Sequence, residues 1–365
     1  MPFLTLPIDS FPVLAELDLL IFPHKSPHNQ KVSAFASSPL QKLSFHCPYS
    51  GFFTQSASLG LNKFSFDAAQ LTSLYVYDYL IHSLWDFLQG CQNLVQLTVI
   101  VRQTNFDSPL TVPVTLPLLE KLTVISCYEE ILVRIDLFGF LTTPALTDLC
   151  IDLSESIYAN RTALFSRVLI DFQKRCDCSL STMSFFCADG LTNKDLSRLI
   201  EIYNFSLRSL TVIGKKIRPK TLLQKLLCKP KAKEALLPHL EFLRFSLDSG
   251  SGSSSDFKPS LLLDVVESRW LDENLARFNV NARLSKVQMD KIVERREMLQ
   301  VHSFFDADLD SEDGDDVTSD ELEKEEEESW LTSAMSKTDK KRLERLQSDG
   351  FQVLETTFFI KLDFP

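Results

Sequence analysis

An α/β fold built from stacked strand and helix repeats is the prediction that follows from this sequence, and three observations support it. A Leu-x-x-Leu-x-Leu pattern with conservative replacements occurs nine times, its first positions lie 23 to 34 residues apart, and helix-like periodicity fills several gaps. The first positions are Leu14, Leu40, Leu71, Leu94, Leu119, Leu146, Leu180, Leu207 and Leu240. A period of this length with one short strand signal per repeat predicts an irregular leucine-rich-repeat solenoid.

Each pattern predicts a short strand whose aliphatic residues enter the core while the residues between them face outward. Helical periodicity covers 160–176, where Asn160 is a plausible N-cap, then 192–205, and 219–228, where Pro219 suits a first turn. Right-handed connections then place parallel strands on the concave side of a horseshoe and helices on its convex side. Regular repeats have Asn or Cys eight residues after the first leucine. In this chain only one repeat has either residue at that position, Cys127, so we expect an uneven horseshoe.

The domain organisation follows from composition. Residues 1–300 form the predicted solenoid, whose C-terminal cap begins at 258 with a helix over 258–270, a strand over 276–284 and a charged helix over 285–299. Residues 303–333 surround a strongly acidic run and are too poor in apolar residues to fold, so we expect a disordered loop. Residues 338–365 complete the cap as a helix, with Gly350 at its C-cap, and a terminal strand.

The net negative charge of the chain comes from one segment. The net charge is −11, but residues 306–328 hold fourteen acidic side chains and one Lys, so they contribute −13 and the rest of the chain about +2. No apolar run is long enough to span a bilayer, and the N-terminus lacks the basic start of a signal peptide. The eight cysteines form no Cys-x-x-Cys pair and mostly occupy apolar positions. These features predict a protein of the cytoplasm or nucleus with no membrane association.

Candidate binding residues fall into two groups. The fifth positions of the strands should line the concave face, where Tyr75 and Arg244 are the largest side chains. The segment 214–233 is dense in basic residues that could attract a phosphate or an acidic partner. Its first four basic residues are Lys215, Lys216, Arg218 and Lys220. It lacks the aromatic residues that stack on bases, so nucleic acid is disfavoured. Both groups are also consistent with ordinary solvated surface.

The sequence offers no active site. His24 and His28 are spaced for a metal but lie in a proline-containing loop, and 306–317 has calcium-loop spacing without the required Gly and final Glu. No glycine-rich phosphate loop follows a strand, and no Gly-x-Ser-x-Gly motif occurs. We therefore predict a protein that is not an enzyme and that needs no cofactor or metal.

Several segments resemble a known family. The stretch FLQGCQNLVQLTVI at 87–100 resembles the repeat of F-box/leucine-rich-repeat proteins. LPLLEKLTVISC at 116–127, LTTPALTDLCIDL at 141–153, RCDCSLSTMSF at 175–185 and LLPHLEFLRFS at 236–246 are similar to repeats of the F-box-like proteins expanded in mushroom-forming fungi. So are the helix LLLDVVESRW and the final RLERLQSDGFQVLE. The resemblance covers most of residues 12–300 and 338–356.

The resemblance implies a module that binds a protein along its concave face and presents it for ubiquitination. The F-box, about fifty residues that should precede the repeats, has no room before Leu14, so an adaptor of the Skp type is expected only if an F-box lies upstream. An alternative resemblance is to acidic leucine-rich nuclear proteins, which bind basic partners such as histones. The short acidic run and the ordered segment after it fit that alternative less well.

Overall fold

The computed structural model describes residues 10–20, 34–46, 64–77, 81–101, 112–126, 137–153, 163–186, 191–214, 217–228, 235–248, 257–271, 274–275, 280, 282–295 and 329–361. Each of the nine leucine patterns leads into a strand in this structure. These are β1 (Glu16–Leu20), β2 (Lys42–His46), β3 (Ser73–Tyr77), β4 (Gln96–Val101), β6 (Lys121–Ser126), β8 (Asp148–Asp152), β9 (Thr182–Phe186), β10 (Ser209–Val212) and β11 (Phe242–Asp248). The predicted strands are confirmed.

One parallel sheet of eleven strands contains all nine and two more, β12 (Lys286–Arg295) and β13 (Gln352–Lys361). The strands follow one another in sequence order, from β1 at one edge to β13 at the other. Equivalent residues lie side by side, for example Leu43 beside Leu74 and Leu74 beside Leu97. The α/β class is therefore confirmed.

Two predictions for the C-terminal part are wrong. Residues 285–299 were expected to form a charged helix, but β12 occupies Lys286–Arg295 because Leu284, Val287 and Met289 make a tenth copy of the pattern and are fully buried. The predicted strand at 276–284 falls largely outside the described residues. Residues 330–333 were expected to belong to a disordered loop, but they lie in the helix Trp330–Ala334. Residues 303–328 lie outside the described part of the chain.

The helices form a layer on one side of the sheet. They are α1 (Ile81–Leu88), α2 (Leu137–Phe140), α3 (Ala163–Cys176), α4 (Asn193–Ile202), α5 (Pro219–Leu226), α6 (Pro259–Trp270), α7 (Trp330–Ala334) and α8 (Lys337–Ser348). Helices α2 to α6 pack in sequence order, and α8 packs on α6. Two short strands, β5 (Val114–Thr115) and β7 (Leu141–Thr142), pair in parallel as a separate sheet. The helices predicted at 160–176, 192–205, 219–228, 258–270 and after 338 are confirmed, although Asn160 is not described.

The core lies between the helices and the sheet. From β2 to β11, the fourth and sixth positions of each repeat are at most 3% exposed, as in Leu43 with Phe45 and Leu210 with Val212. These side chains share one cluster with the buried residues of the helices. Because side chains alternate along a strand, the third, fifth and seventh positions point to the opposite side of the sheet, called the outer face below.

A backbone ladder runs along the amino ends of the strands. The N–H groups of the second and third positions of a repeat both donate to the second-position carbonyl of the repeat before, as Thr147 and Asp148 do to Glu120. Hydroxyls at second positions reinforce it: Ser181 donates to the Thr147 carbonyl over 3.1 Å. The described residues thus stack in register even though the Asn/Cys position is mostly filled by other residues.

The C-terminal end of the sheet is closed by α7 and α8. Helix α8 ends with Gly350 at φ +96°, and the N–H groups of Gly350 and Phe351 donate to the carbonyls of Gln347 and Leu346. Only glycine adopts this left-handed conformation without strain, which explains the predicted C-cap. Arg342 on α8 donates two hydrogen bonds to the Glu267 carboxylate on α6, over 2.9 and 2.7 Å. These bonds raise the pKa of Arg342 and fasten α8 to α6.

Candidate interaction surface

The outer face carries three rows of side chains, one for each outward position of the repeat. The third-position row is polar or charged along most of its length, with residues such as Lys42, Gln96 and Lys121. The fifth-position row is mainly small and polar, with residues such as Ser44, Thr98 and Thr123. The face therefore becomes less polar toward the carboxyl ends of the strands, where the seventh-position row lies.

The seventh-position row is apolar across most of the sheet. From β1 to β10 its members are Leu20, His46, Tyr77, Ile100, Ile125, Asp152, Phe186 and Ile213. They span seven inter-strand steps, or about 34 Å at about 4.8 Å per step. Leu20 is 60% exposed, Ile100 and Ile213 are buried, and the others are half-buried. We name these eight residues the apolar row.

The sequence interpretation missed the apolar row because it considered only the fifth positions. A signal was present: the residue after the last apolar position of the pattern is itself apolar or aromatic in most repeats, as with Leu20, Tyr77 and Phe186. An outward apolar residue repeated on neighbouring strands is not required by the core. Outward apolar residues that recur in this way are a common feature of surfaces that bind other molecules.

The predicted fifth-position residues Tyr75 and Arg244 both lie on the outer face, on strands β3 and β11. Six inter-strand steps separate these strands, a distance of about 29 Å. The two residues therefore cannot contact the same small ligand, although an extended partner could reach both.

The basic residues lie elsewhere. Lys215 and Lys216 fall outside the described residues. Arg218 is exposed at the N-cap of α5, where its backbone N–H donates to the Asn193 Oδ1 over 3.1 Å, and Lys220 lies in the first turn of α5. Helix α5 belongs to the layer on the opposite side of the sheet from Tyr75 and Arg244. The structure thus divides the candidate residues between two faces.

At the amino-terminal end of the outer face, an imidazole links a carboxylate to two phenol rings. The Nε2 of His46 lies 3.3 Å from the Oδ1 of Asp18. The His46 ring centroid is 5.1 Å from that of Tyr75 and 6.0 Å from that of Tyr77. His46 is 32% exposed and Asp18 74%. This cluster combines aromatic area with charge that water still reaches, as in many protein-binding surfaces.

At the carboxyl-terminal end, a buried ion pair occupies the same face. The Nε of Arg244 donates to the Asp290 Oδ2 over 2.6 Å, with Asp290 fully buried and Arg244 18% exposed. The guanidinium carbon lies 5.5 Å from the Phe186 ring centroid. The Nε2 of Gln288 extends the network to Asp290 and to the Thr356 hydroxyl, over 3.3 and 3.2 Å. The guanidinium of Arg244 is therefore engaged mainly by residues of its own chain.

The middle of the face holds Cys150 between Asp148 and Asp152 on β8. Burial raises the pKa of the Cys150 thiol to about 11, and the two carboxylates add to the shift. Burial also raises the pKa of Asp148, against the lowering effect of Lys121. Cys91 and Cys178 likewise have their pKa values raised by burial to about 12. Thiols with such pKa values are weak nucleophiles near neutral pH.

Among the described residues, no group of three or more His, Cys, Asp or Glu side chains could hold a metal ion. Within that same part of the chain, no helix is long and apolar enough to cross a membrane. The arrangement that remains is a broad surface with an apolar line, a polar border and charged ends. No family model, curated protein or solved structure matches this chain.

Proposed function

We propose that this chain is a leucine-rich-repeat scaffold that binds a protein partner along its outer face. In this proposal the eleven-stranded sheet curves into a horseshoe, with the outer face on the concave side and the helices on the convex side. The parallel sheet, the sequential strand order and the stacked helices support this architecture. Repeats of this kind present extended surfaces to their partners.

The apolar row is the observation that carries the proposal. Six of its eight members are apolar, with His46 and Asp152 between them. Its length of about 34 Å is comparable with the width of a standard protein interface. Aromatic residues such as Tyr77 and Phe186 bury much area at a small entropic cost. The polar fifth-position row would form one border of the interface and fix the orientation of the partner.

The experiment is an affinity purification from native extract with one substitution on the apolar row. Ile125→Lys places a charge in the middle of the row, and Ser209→Lys places the same charge on the third-position row. We expect Ile125→Lys to lose the partner that the natural chain retains, with a reduction of about tenfold or more, and Ser209→Lys to retain it. Circular dichroism should show that both variants are folded. Equal retention by the two variants would exclude the apolar row as the interface.

The ubiquitin ligase role is a narrower form of the same proposal and rests on the resemblance to F-box/leucine-rich-repeat proteins. In this form the partner on the outer face is a substrate, and a Skp-type adaptor joins the complex through an F-box. The same purification tests it, because the adaptor or a cullin should then be recovered. Recovery of a partner without either subunit leaves the scaffold proposal standing and rejects the ligase role.

The alternative function, binding of histones or other basic proteins, is supported by the fourteen acidic side chains of 306–328. In that case the affinity depends on the acidic run and falls steeply with salt. Deletion of 306–328 separates the two proposals. Histone binding that is lost on deletion favours the alternative, whereas partner binding that survives deletion and is lost with Ile125→Lys favours the outer face.

A further inference from the structure

We propose that the edge of β1, beyond which the described residues contain no further strand, is a second interface. It is separate from the outer face and accepts one strand of another polypeptide. The incoming strand would lie parallel to β1, with apolar side chains toward the core and basic side chains on the outer face. Addition of a strand to an open sheet edge is a common mode of peptide recognition. The inference does not depend on the function proposed above.

The first reason is that the described residues leave the apolar core open at this end. Leu14 and Leu17, at the first and fourth positions of the first repeat, are partly exposed. Their equivalents in the second repeat, Leu40 and Leu43, are 0% and 1% exposed. Val13, beside them, is 87% exposed. Among the described residues, no element lies beyond β1. Terminal repeats normally need a cap, because an open core leaves apolar area in water.

The second reason is the backbone ladder. In the later repeats, the N–H groups of the second and third positions donate to the second-position carbonyl of the preceding strand. The equivalent N–H groups of the first repeat belong to Ala15 and Glu16 and face the edge of β1 that is opposite β2. A strand placed there, one repeat before β1, would continue the ladder without any change of register.

The third reason is charge, which identifies the kind of strand. The outward residues Glu16 and Asp18 are both acidic, and β2 faces them with basic residues. The Nζ of Lys42 lies 2.6 Å from Glu16 Oε1, and the Nε2 of His46 lies 3.3 Å from Asp18 Oδ1. A strand on the other side of β1 would meet the same two carboxylates. Basic residues at its third and fifth or seventh positions are therefore favoured.

A second copy of this chain does not fit the edge. Pairing of two β1 strands would bring Glu16 and Asp18 of both copies together, and like charges on facing strands are unfavourable. Pairing of β1 with β13 of another copy would place Glu355, which occupies the sixth position, opposite Leu19. That carboxylate already accepts hydrogen bonds from Ser329 and the Leu331 N–H at the start of α7. The occupant is therefore a different polypeptide with an alternating apolar and basic strand.

The experiment uses the chain's own second strand as a probe. A fluorescent peptide with the sequence of residues 37–46, SSPLQKLSFH, has the required alternation, and its binding to the full chain is measured by anisotropy. We expect saturable binding that weakens about tenfold or more for the protein variant Leu17→Lys and for the double variant Glu16→Lys with Asp18→Lys. Leu354→Lys, at the opposite edge of the sheet, should bind like the natural chain.

Two peptide controls separate strand addition from simple charge attraction. A peptide with Lys42→Glu and His46→Glu should bind at least about tenfold more weakly. N-methylation of alternate residues should abolish binding in one of the two possible frames only, because one edge of the peptide pairs with β1. Circular dichroism of each protein variant confirms that it is folded, and Leu354→Lys controls for the added charge.

The remaining outcomes overturn the proposal. They are an absence of peptide binding, equal binding by Leu17→Lys, and equal loss with both N-methylated frames. Binding that appears only after deletion of residues 1–9 would assign the edge to the chain's own N-terminus. A dimer in sedimentation velocity that Leu17→Lys dissociates would assign it to a second copy.

Discussion

The two ends of the sheet hold ion pairs of the same length in opposite environments. Lys42 and Glu16 lie 2.6 Å apart at the amino-terminal end, with side chains 58% and 65% exposed. Arg244 and Asp290 also lie 2.6 Å apart near the carboxyl-terminal end, 18% and 0% exposed. Water screens the first pair, so it stabilises little, whereas removal of one member of the second leaves a charge without solvent. The distance between the charged atoms therefore does not determine how much each ion pair contributes to stability.

The core shows the same contrast. Leu17 is partly exposed on β1, while Val287 on β12 is fully buried. The carboxyl-terminal end also has α8 fastened to α6 by Arg342, and nothing comparable covers β1 among the described residues. Local stability should therefore increase along the sheet from β1 to β12. The more open end is also the end where the half-buried cluster of His46, Tyr75 and Tyr77 lies.

The largest expected effect comes from Arg269, which is fully buried on α6. Its guanidinium donates to the carbonyls of Leu226, at the end of α5, and of Leu236 and Leu237. Burial lowers the pKa of Arg269, because the charge has lost its water. Arg269→Met removes one donor from each of these three carbonyls, of which that of Leu237 still accepts from the Leu240 N–H. We expect a loss of about 3 kcal/mol or more in the free energy of unfolding. Urea denaturation measures it.

Arg208→Met is the matched control for that change. Arg208 donates to Glu241 over 2.6 Å, but its side chain is 57% exposed. The same replacement there should cost less than about 1 kcal/mol. Similar losses for the two variants would contradict the contrast between buried and exposed guanidinium groups.

The second expected effect concerns the pair Arg244 and Asp290. Asp290→Ala leaves the largely buried Arg244 without its carboxylate, so we expect a loss of about 2 to 4 kcal/mol. The double variant with Arg244→Met should recover part of this loss, since it removes the uncompensated charge. A double-mutant cycle in urea gives the coupling energy, and additive losses would show that the pair is not coupled.

The smallest expected effect is that of Lys42 and Glu16. A cycle of Lys42→Met and Glu16→Gln should give a coupling of about 0 to 0.5 kcal/mol, and it should vanish in high salt. Thermal unfolding of the natural chain, the two single variants and the double variant at two salt concentrations measures this coupling. A coupling as large as that of Arg244 with Asp290 would remove the distinction between the two ends of the sheet.

The strands of the first nine repeats could be predicted because their signal is local. Apolar residues at the first, fourth and sixth positions, with leucine always at the first, are required by the core of every repeat, whatever its neighbours. The tenth repeat escaped because Val287 and Met289 lie within a charged segment that also has helical periodicity. The eleventh repeat has Glu355 at its sixth position, where the pattern requires an apolar residue. The structure explains this exception, because the Glu355 carboxylate accepts a hydrogen bond from the Leu331 N–H in α7.

The surface was less predictable than the strands. The predicted residues Tyr75 and Arg244 do face outward, but the sequence does not reveal that Arg244 is held by Asp290, a residue 46 positions away. The apolar row depends on how far each strand continues beyond its leucine pattern. That length is set by pairing with neighbouring strands and cannot be inferred from one repeat alone.

The most direct test of the binding surface is photo-crosslinking from two positions in native extract. A photoreactive phenylalanine analogue replaces Tyr77 on the apolar row in one variant and the exposed Lys341 on α8 in the other. We predict a discrete crosslinked polypeptide from position 77 that is absent from position 341 and is competed by excess natural chain but not by Ile125→Lys. The same products from both positions, or competition by Ile125→Lys equal to that of the natural chain, would contradict binding on the outer face.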